Sequence, residues 1–276
     1  MTISEQILHS TVRIETILFN GGRATGTGFF FKFSEAEDGT HIPVIITNKH
    51  VIADSAVGIF RLTLVGADGK PNYRNTKEYR IPNFQQHWIG HPDPNIDLCA
   101  MPIGGLLNMA QNDGINFYYI SLDKSLILSE KELNELTALE DITMVGYPNG
   151  IWDSVNNLPI LRKGITATNP KIDYNGREEF MIDAACFPGS SGSPVLMLNE
   201  GSYRTQDAIV MGSRIKLLGV LYAGPQHTAT GKLEVVNIPT REEQITISRI
   251  PNNLGVIIKA RKIIELEAEV KRILKR

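Results

Sequence analysis

Residues 187–195 place a serine between glycines, immediately before an apolar strand. Gly189 and Gly192 let the backbone bend without a Cβ clash, so the N–H groups of Gly189 and Ser191 can point to one side of the Ser191 hydroxyl. Two N–H groups arranged in this way form an oxyanion hole, beside which a serine can act as a nucleophile. The same pattern also fits an inert Gly/Ser turn between two strands. A catalytic Ser191 would need a base and a group that orients the base.

A histidine and an aspartate earlier in the chain could supply these two groups. His50 follows a β-branched run at the end of a predicted strand, which is a rigid place for an imidazole. Asp97 begins an apolar strand-like stretch, where a buried carboxylate requires a partner. If Asp97 accepts from Nδ1–H of His50, Nε2 is free to take the proton of Ser191. Together these residues predict a catalytic triad of His50, Asp97 and Ser191. The alternative is that they are three unrelated core or turn residues.

Short strand-like runs separated by turn formers recur along most of the chain and predict an all-β fold, either barrels or a sandwich. We predict short helical stretches at residues 3–9 and 129–139, with a connector of mixed character at 104–122. The predicted strands are 11–14, 17–19, 29–33, 43–47, 60–65, 79–81, 96–101, 142–147, 160–168, 179–184, 194–198, 217–222 and 233–238.

The end of the chain has a helical pattern instead. Ile263, Leu266, Val270 and Ile273 recur at spacings of three and four, and charged residues occupy the other positions. We therefore predict an amphipathic helix over residues 253–276. Its apolar stripe fits docking on the protein's own core, and it also fits a surface for a partner protein or a second copy of the chain.

Composition narrows the function classes. The 276 residues are 42% apolar, enough for real cores, and the net charge of -2 argues against nucleic-acid binding. Cys99 and Cys186 are too few for a disulfide framework and are predicted to be free thiols. With no secretory leader and no apolar run that could span a bilayer, we expect a soluble cytoplasmic protein without membrane contact.

The sequence does not favour a metal site. His87 and His91 lie near Cys99, but Pro92 and Pro94 follow them and no third ligand has a suitable spacing. We expect neither a metal nor a cofactor. His9 has no evident partner and is expected at the surface.

Several motifs occur in a fixed order between residues 10 and 240. They are Gly26-Thr27-Gly28-Phe29, Thr47-Asn48-Lys49-His50-Val51, Asp97-Leu98-Cys99-Ala100, Val145-Gly146-Tyr147-Pro148, Gly164-Ile165-Thr166-Ala167 and residues 183–194, DAACFPGSSGSP. Together they resemble the chymotrypsin-fold, trypsin-like serine peptidases, and in particular the bacterial HtrA/Deg-like branch without its usual peptide-binding domain.

The resemblance implies two six-stranded antiparallel β-barrels followed by the C-terminal helix. Residues 1–110 would carry His50 and Asp97, and residues 111–252 would carry Ser191. It also implies an oxyanion hole from the N–H groups of Gly189 and Ser191, and a serine endopeptidase acting on polypeptides. The substrate-binding residues implied in the same way are Ala185, Cys186, Tyr222, Ala223 and Gly224.

The sequence departs from trypsin at informative positions. Trypsin has an acid directly before its serine, which pairs with a new N-terminus, whereas Ser190 cannot form that ion pair. Activation by N-terminal cleavage is therefore not expected. Ser193 replaces a glycine of the commoner motif, which would be unfavourable only if φ were positive there. No acid occurs at 184–186 or 219–224, so we predict small or medium apolar P1 residues rather than basic ones.

A second function class remains open. The chain could be a peptide-binding or regulatory module that is held inactive until a partner protein binds. The partner would act through the terminal helix and remodel the turn that contains Gly189 and Ser191, here called the oxyanion turn. Such a module could belong to a stress or defence system, although no residue proves it.

Overall fold

The computed structural model describes residues 1–205, 208–224, 226–230, 247–251 and 253–275. The strands of the first half are β1 (Thr11–Leu18), β2 (Arg23–Phe33), β3 (Ile42–Thr47), β4 (Ser55–Val65), β5 (Pro71–Pro82), β6 (Ile89–Gly90) and β7 (Cys99–Pro102). Those of the second half are β8 (Asp141–Gly146), β9 (Ile160–Thr166), β10 (Glu179–Asp183), β11 (Pro194–Asn199), β12 (Ser202–Arg204), β13 (Ile209–Met211), β14 (Arg214–Ala223), β15 (Gln226–Thr230), β16 (Ile247–Pro251) and β17 (Leu254–Lys259). The helices are α1 (Ile3–Ile7), α2 (Lys49–Ile52), α3 (Gly104–Asn112), α4 (Glu130–Glu135) and α5 (Lys262–Leu274).

The strands of the first half form one antiparallel sheet, which we call the first lobe. Among the described strands their order is β5-β4-β1-β2-β3-β7-β6. The resemblance predicted a six-stranded barrel, whereas the described strands form a seven-stranded sheet with β5 at one end and the short β6, paired with β7, at the other. β3 ends at Thr47, and α2, which contains His50, begins at Lys49, so the sheet fixes the position of His50.

The second half forms the six-stranded closed barrel that was predicted, here called the second lobe. Its described strands run in the order β10-β17-β14-β11-β8-β9. β12 pairs with β13, and β15 pairs with β16, outside the barrel. The all-β prediction with two lobes and a C-terminal helix is thus confirmed. The predicted strand at 233–238 lies outside the described residues.

The predicted start of the C-terminal helix at residue 253 is wrong. Residues Leu254–Lys259 form β17, which pairs with β10 and β14 and closes the barrel. Ile257 and Ile258 are adjacent and both buried, as in a strand covered on two faces. The helical spacing of apolar residues begins only afterwards, and α5 starts at Lys262.

The apolar stripe of α5 is used within the protein. Ile263, Leu266 and Val270 are buried in a core cluster that also contains residues of both lobes, among them Phe31, Leu98, Leu196 and Val220. This agrees with docking on the protein's own core, except at Ile273, which was predicted to belong to the stripe and is 37% exposed near the helix end.

The stretch 104–122, expected to be a connector, contains α3, and α3 crosses the predicted division at residue 110. That division stays a prediction. α3 forms because Leu106 and Leu107 can pack against the core of the first lobe.

Candidate active site

His50 and Asp97 are in direct contact. Nδ1 of His50 lies 2.5 Å from Oδ2 of Asp97, and the backbone N–H of His50 donates to Oδ1 at 3.1 Å. Because an ionised carboxylate only accepts, we assign the proton to Nδ1, which leaves Nε2 as an acceptor. The His50 side chain is 48% exposed and that of Asp97 is 22% exposed, so the ring is the more accessible partner.

The chain segments that carry this pair are tied together by their neighbours. Asn48 is fully buried, and its Nδ2 donates to the carbonyl of Asp97 at 2.7 Å. Nζ of Lys49 donates to the carbonyls of His91 and Asp93 at 3.1 and 3.0 Å. The two residues before His50 therefore hold the loop that leads to Asp97. The sequence included both residues in a motif without assigning them these roles.

The turn that carries Ser191 leaves two N–H groups unbonded. The N–H groups of Ser190, Gly192 and Ser193 donate to the carbonyls of Phe187, Leu221 and Ser190 at 3.0, 2.8 and 3.0 Å. Those of Gly189 and Ser191 have no acceptor in the described part of the chain. These are the two groups predicted to form the oxyanion hole.

The orientation of the Gly189 N–H follows from the preceding carbonyl. The Pro188 carbonyl accepts from the backbone N–H of Asn149 at 2.5 Å. In a trans peptide the C=O and the N–H point in opposite directions, so the N–H of Gly189 points away from Asn149. Gly189 has φ +86°, which matches the third residue of a type II turn and favours glycine.

Thr27 on β2 holds this turn from the first lobe, and sequence reasoning missed its role. Its N–H donates to the Ser191 carbonyl and its hydroxyl to the Gly189 carbonyl, both at 2.9 Å. The same hydroxyl accepts from the N–H of Tyr147 at 3.2 Å, and the Thr27 carbonyl accepts from the Thr47 hydroxyl at 2.6 Å. The available signal was its place between Gly26 and Gly28.

Glycines allow the lobes to approach at this point. A Cβ on Gly192 would lie 1.9 Å from the Thr27 carbonyl oxygen and 2.4 Å from Oγ1 of Thr47. Thr47 lies in the segment that leads to His50, so Ser191 lies close to the segment that carries His50. Among the described residues, however, no hydrogen bond joins Ser191 to His50. Ser193 does not have positive φ, so the serine at that position is compatible with the turn.

The predicted substrate-binding residues lie beside the turn. A Cβ added to Gly255 would lie 2.6 Å from Sγ of Cys186, and a Cβ added to Gly224 would lie 3.8 Å from Cβ of Cys186. Cys186 is a free thiol whose pKa is raised to about 11 by burial. Ala185 is half-buried and Ala223 is exposed. Their contact with substrate stays a prediction.

Tyr222, also predicted to bind substrate, uses its hydroxyl within the protein. The hydroxyl donates to Oε1 of Glu179 at 2.9 Å, and Glu179 pairs with Arg177 at 2.9 Å. Burial, followed by the Glu179 carboxylate, raises the pKa of Tyr222 to about 12. Sequence reasoning did not identify Glu179, which is buried at the start of β10.

A cation, Arg162, lies beside Phe187 in this region. The Arg162 guanidinium carbon lies 5.0 Å from the centre of the Phe187 ring, and Nε of Arg162 is buried without a hydrogen bond to any described residue. Arg162 also acts on the Cys186 thiol, where its charge partly opposes the rise in pKa, and the Asp183 carboxylate acts more weakly in the other direction. A positive charge here is unfavourable for a basic substrate side chain.

A family model described as "Trypsin-like peptidase domain" matches residues 26–203. No curated protein matches the chain.

Among solved structures, the active form of the Rv3671c protease from M. tuberculosis is 14% identical, with 97% of this chain and 83% of that chain covered and a TM-score of 0.47. The HtrA-type protease AlgW with a tripeptide is 16% identical, with 96% and 61% covered and a TM-score of 0.47.

Proposed function

The chain belongs to the trypsin-like peptidase family and is a serine endopeptidase by class, and we propose that His50, Asp97 and Ser191 are its catalytic triad. The observation that carries the proposal is the 2.5 Å contact between Nδ1 of His50 and Oδ2 of Asp97. It fixes the tautomer that a general base requires. The unbonded N–H groups of Gly189 and Ser191 support the same assignment.

The proposed reaction follows from these groups. Oγ of Ser191 attacks the scissile carbonyl carbon while Nε2 of His50 takes the hydroxyl proton. The N–H groups of Gly189 and Ser191 donate to the oxyanion that forms. As the C–N bond breaks, His50 returns the proton to the leaving amine. Water then attacks the acyl-enzyme with the same base and the same oxyanion hole, and the carboxylic acid is released.

We propose a polypeptide substrate bound in extended form along residues 222–224, with an apolar residue in the P1 pocket. The exposed backbone at Ala223 and Gly224 is suited to pair with an added strand. The cation Arg162, close to Phe187 and Cys186, supports the exclusion of basic P1 residues. In a peptide library we expect cleavage mainly after small or medium apolar residues. Cleavage mainly after Lys or Arg would contradict this assignment.

The catalytic proposal is tested by labelling with a fluorophosphonate, which reacts with an activated serine hydroxyl. We expect the wild type to be labelled and Ser191→Ala to remain unlabelled. Ser193→Ala is the matched control, because it removes a fully buried hydroxyl from the same segment, and it should keep the label. Equal labelling of the wild type and Ser191→Ala would remove Ser191 from the proposed triad.

The second candidate is a protease that a partner protein activates, and the lack of a hydrogen bond between Ser191 and His50 favours it. Ile263, Leu266 and Val270 of α5 are buried in the core, whereas Ile273 and Leu274 at its end are exposed, so a partner or a second copy would have to bind the exposed surface of this helix. A folded wild type that is labelled only after a partner is added would support this candidate.

We also propose a reducing, cytoplasmic location, because both cysteines are free thiols. Among the helices of the described residues, none combines the length and apolar character that a membrane span needs. Cell fractionation with an antibody against the chain tests the location, and recovery from a secreted fraction would contradict it.

A further inference from the structure

The oxyanion turn is supported from outside by residues 147–152, which we call the support loop. The N–H of Asn149 in this loop donates to the Pro188 carbonyl at 2.5 Å. A Cβ on Gly189 would lie 2.6 Å from the Tyr147 carbonyl oxygen and 3.2 Å from the Gly150 nitrogen. The support loop and the turn therefore touch without space for a side chain, and a shift of the loop would move the Gly189 N–H.

The support loop turns at a left-handed Asn-Gly pair. Asn149 and Gly150 are consecutive and both left-handed, with φ values of +51° and +69°. Asn and Gly adopt this conformation readily, so the turn costs little, and a contact from a neighbouring group can hold it in place. The contacts of the next residues identify the group that does so.

Arg13 on β1 makes these contacts from the first lobe. Its Nε donates to the Gly150 carbonyl at 3.2 Å, and its guanidinium carbon lies 5.3 Å from the centre of the Trp152 ring. The Arg13 side chain is 18% exposed and is paired with Glu15. One side chain thus contacts the support loop at two points, through a hydrogen bond and through a cation–π contact.

The side chain of Ser190 does not hold the oxyanion turn. It is buried, and its hydroxyl has no hydrogen-bond partner in the described part of the chain. We infer that Arg13 is a positioning residue for the oxyanion hole, acting through Gly150 and Trp152 of the support loop. This inference rests on the proposed catalytic function.

The test compares Arg13→Met with the wild type on a peptide substrate and on a peptide boronate, whose adduct places an oxygen in the oxyanion hole. We expect kcat and boronate affinity to fall by about tenfold or more, with KM changed much less, because only the oxyanion contact is displaced. Arg13→Lys, which keeps a cation and a donor, should restore part of the loss. Arg80→Met is the matched control, since Arg80 is 65% exposed on β5 and pairs only with Glu78 among the described residues.

The outcomes separate this inference from the proposed function. If the wild type is labelled through Ser191 and Arg13→Met keeps wild-type kcat and boronate affinity, the inference alone is wrong. If the wild type shows no reaction at Ser191, the proposed function fails and the inference fails with it. Should Arg13→Met not fold, Trp152→Leu must give the same selective loss of kcat, because it removes the ring that Arg13 contacts without changing β1. An unchanged kcat in that variant overturns the inference.

Discussion

Thr27 is a buried residue that holds two chain segments, the turn with Gly189 and Ser191 and the segment that begins at Tyr147. Its hydroxyl donates to the Gly189 carbonyl and accepts from the Tyr147 N–H, while its own N–H donates to the Ser191 carbonyl. Each bond fixes the carbonyl or N–H of a segment that borders the proposed oxyanion hole. Thr27 is fully buried, so water cannot replace these bonds if they are lost.

Thr27→Val should test this role, because valine keeps the shape and the backbone N–H but lacks the hydroxyl. We expect a loss of about 1–3 kcal/mol in the free energy of unfolding, since the Gly189 carbonyl and the Tyr147 N–H lose their partner. We also expect a lower kcat with a smaller change in KM. Urea unfolding and peptide hydrolysis measure the two effects. Thr27→Ser retains the hydroxyl and should stay close to the wild type; a Thr27→Val variant with wild-type kcat would rule out the role.

At the scale of elements, α5 and β17 complete the two halves of the molecule. β17 closes the barrel between β10 and β14, and α5 then packs against the shared core. Lys259 at the end of β17 pairs with Asp173 at 2.6 Å, and Lys262 at the start of α5 pairs with Glu265 at 2.8 Å. Because α5 packs in the core that the two lobes share, its removal would expose apolar surface of both lobes.

Leu266→Ala should be strongly destabilising for this reason. Leu266 is fully buried, and truncation of such a side chain to alanine typically costs about 2–5 kcal/mol. Ile264 lies on the same helix but is 36% exposed. Ile264→Ala should therefore cost about 1 kcal/mol or less. The free energies of unfolding from urea titrations give the comparison. Equal losses for the two variants would mean that α5 does not dock through its apolar stripe.

At the scale of the whole molecule, buried histidines link stability to pH. The expectation of a surface His9 is wrong, because its residue exposure is 5% and its ring packs edge-on against Tyr118, with centroids 4.9 Å apart. His91 is also buried, and it lies 3.5 Å from Glu265 of α5. Burial lowers the pKa of both histidines in the folded state.

The sign of the pH effect follows from the lowered pKa. Below a pH of about 6.5 the unfolded chain binds protons at these histidines more readily than the folded chain does. Their contribution to stability is therefore complete above that pH and is lost as the pH falls. We expect the unfolding free energy of His9→Phe, which keeps an aromatic ring beside Tyr118, to fall less steeply than that of the wild type between pH 7 and 5. Parallel curves for the two proteins would show that His9 does not contribute.

Local patterns predicted much of the framework. Alternating apolar residues and turn formers predicted most strands, and the all-β fold is confirmed. The motifs around His50, Asp97 and Ser191 also predicted the contact between His50 and Asp97. The apolar run at Leu254–Lys259 was misassigned because its adjacent apolar residues fit a helix or a buried strand equally well, and only pairing with β10 and β14 decides between them.

The sequence by itself determined the residue types of the site, since a glycine-bracketed serine, a histidine at a strand end and an aspartate before an apolar strand are all local features. The tertiary structure decided how these residues are supported. Thr27 and Gly189 are separated by 162 positions, and Arg13 and Gly150 by 137. Such contacts depend on strand register and on the packing of the two lobes, which set the distance between side chains that no local pattern connects.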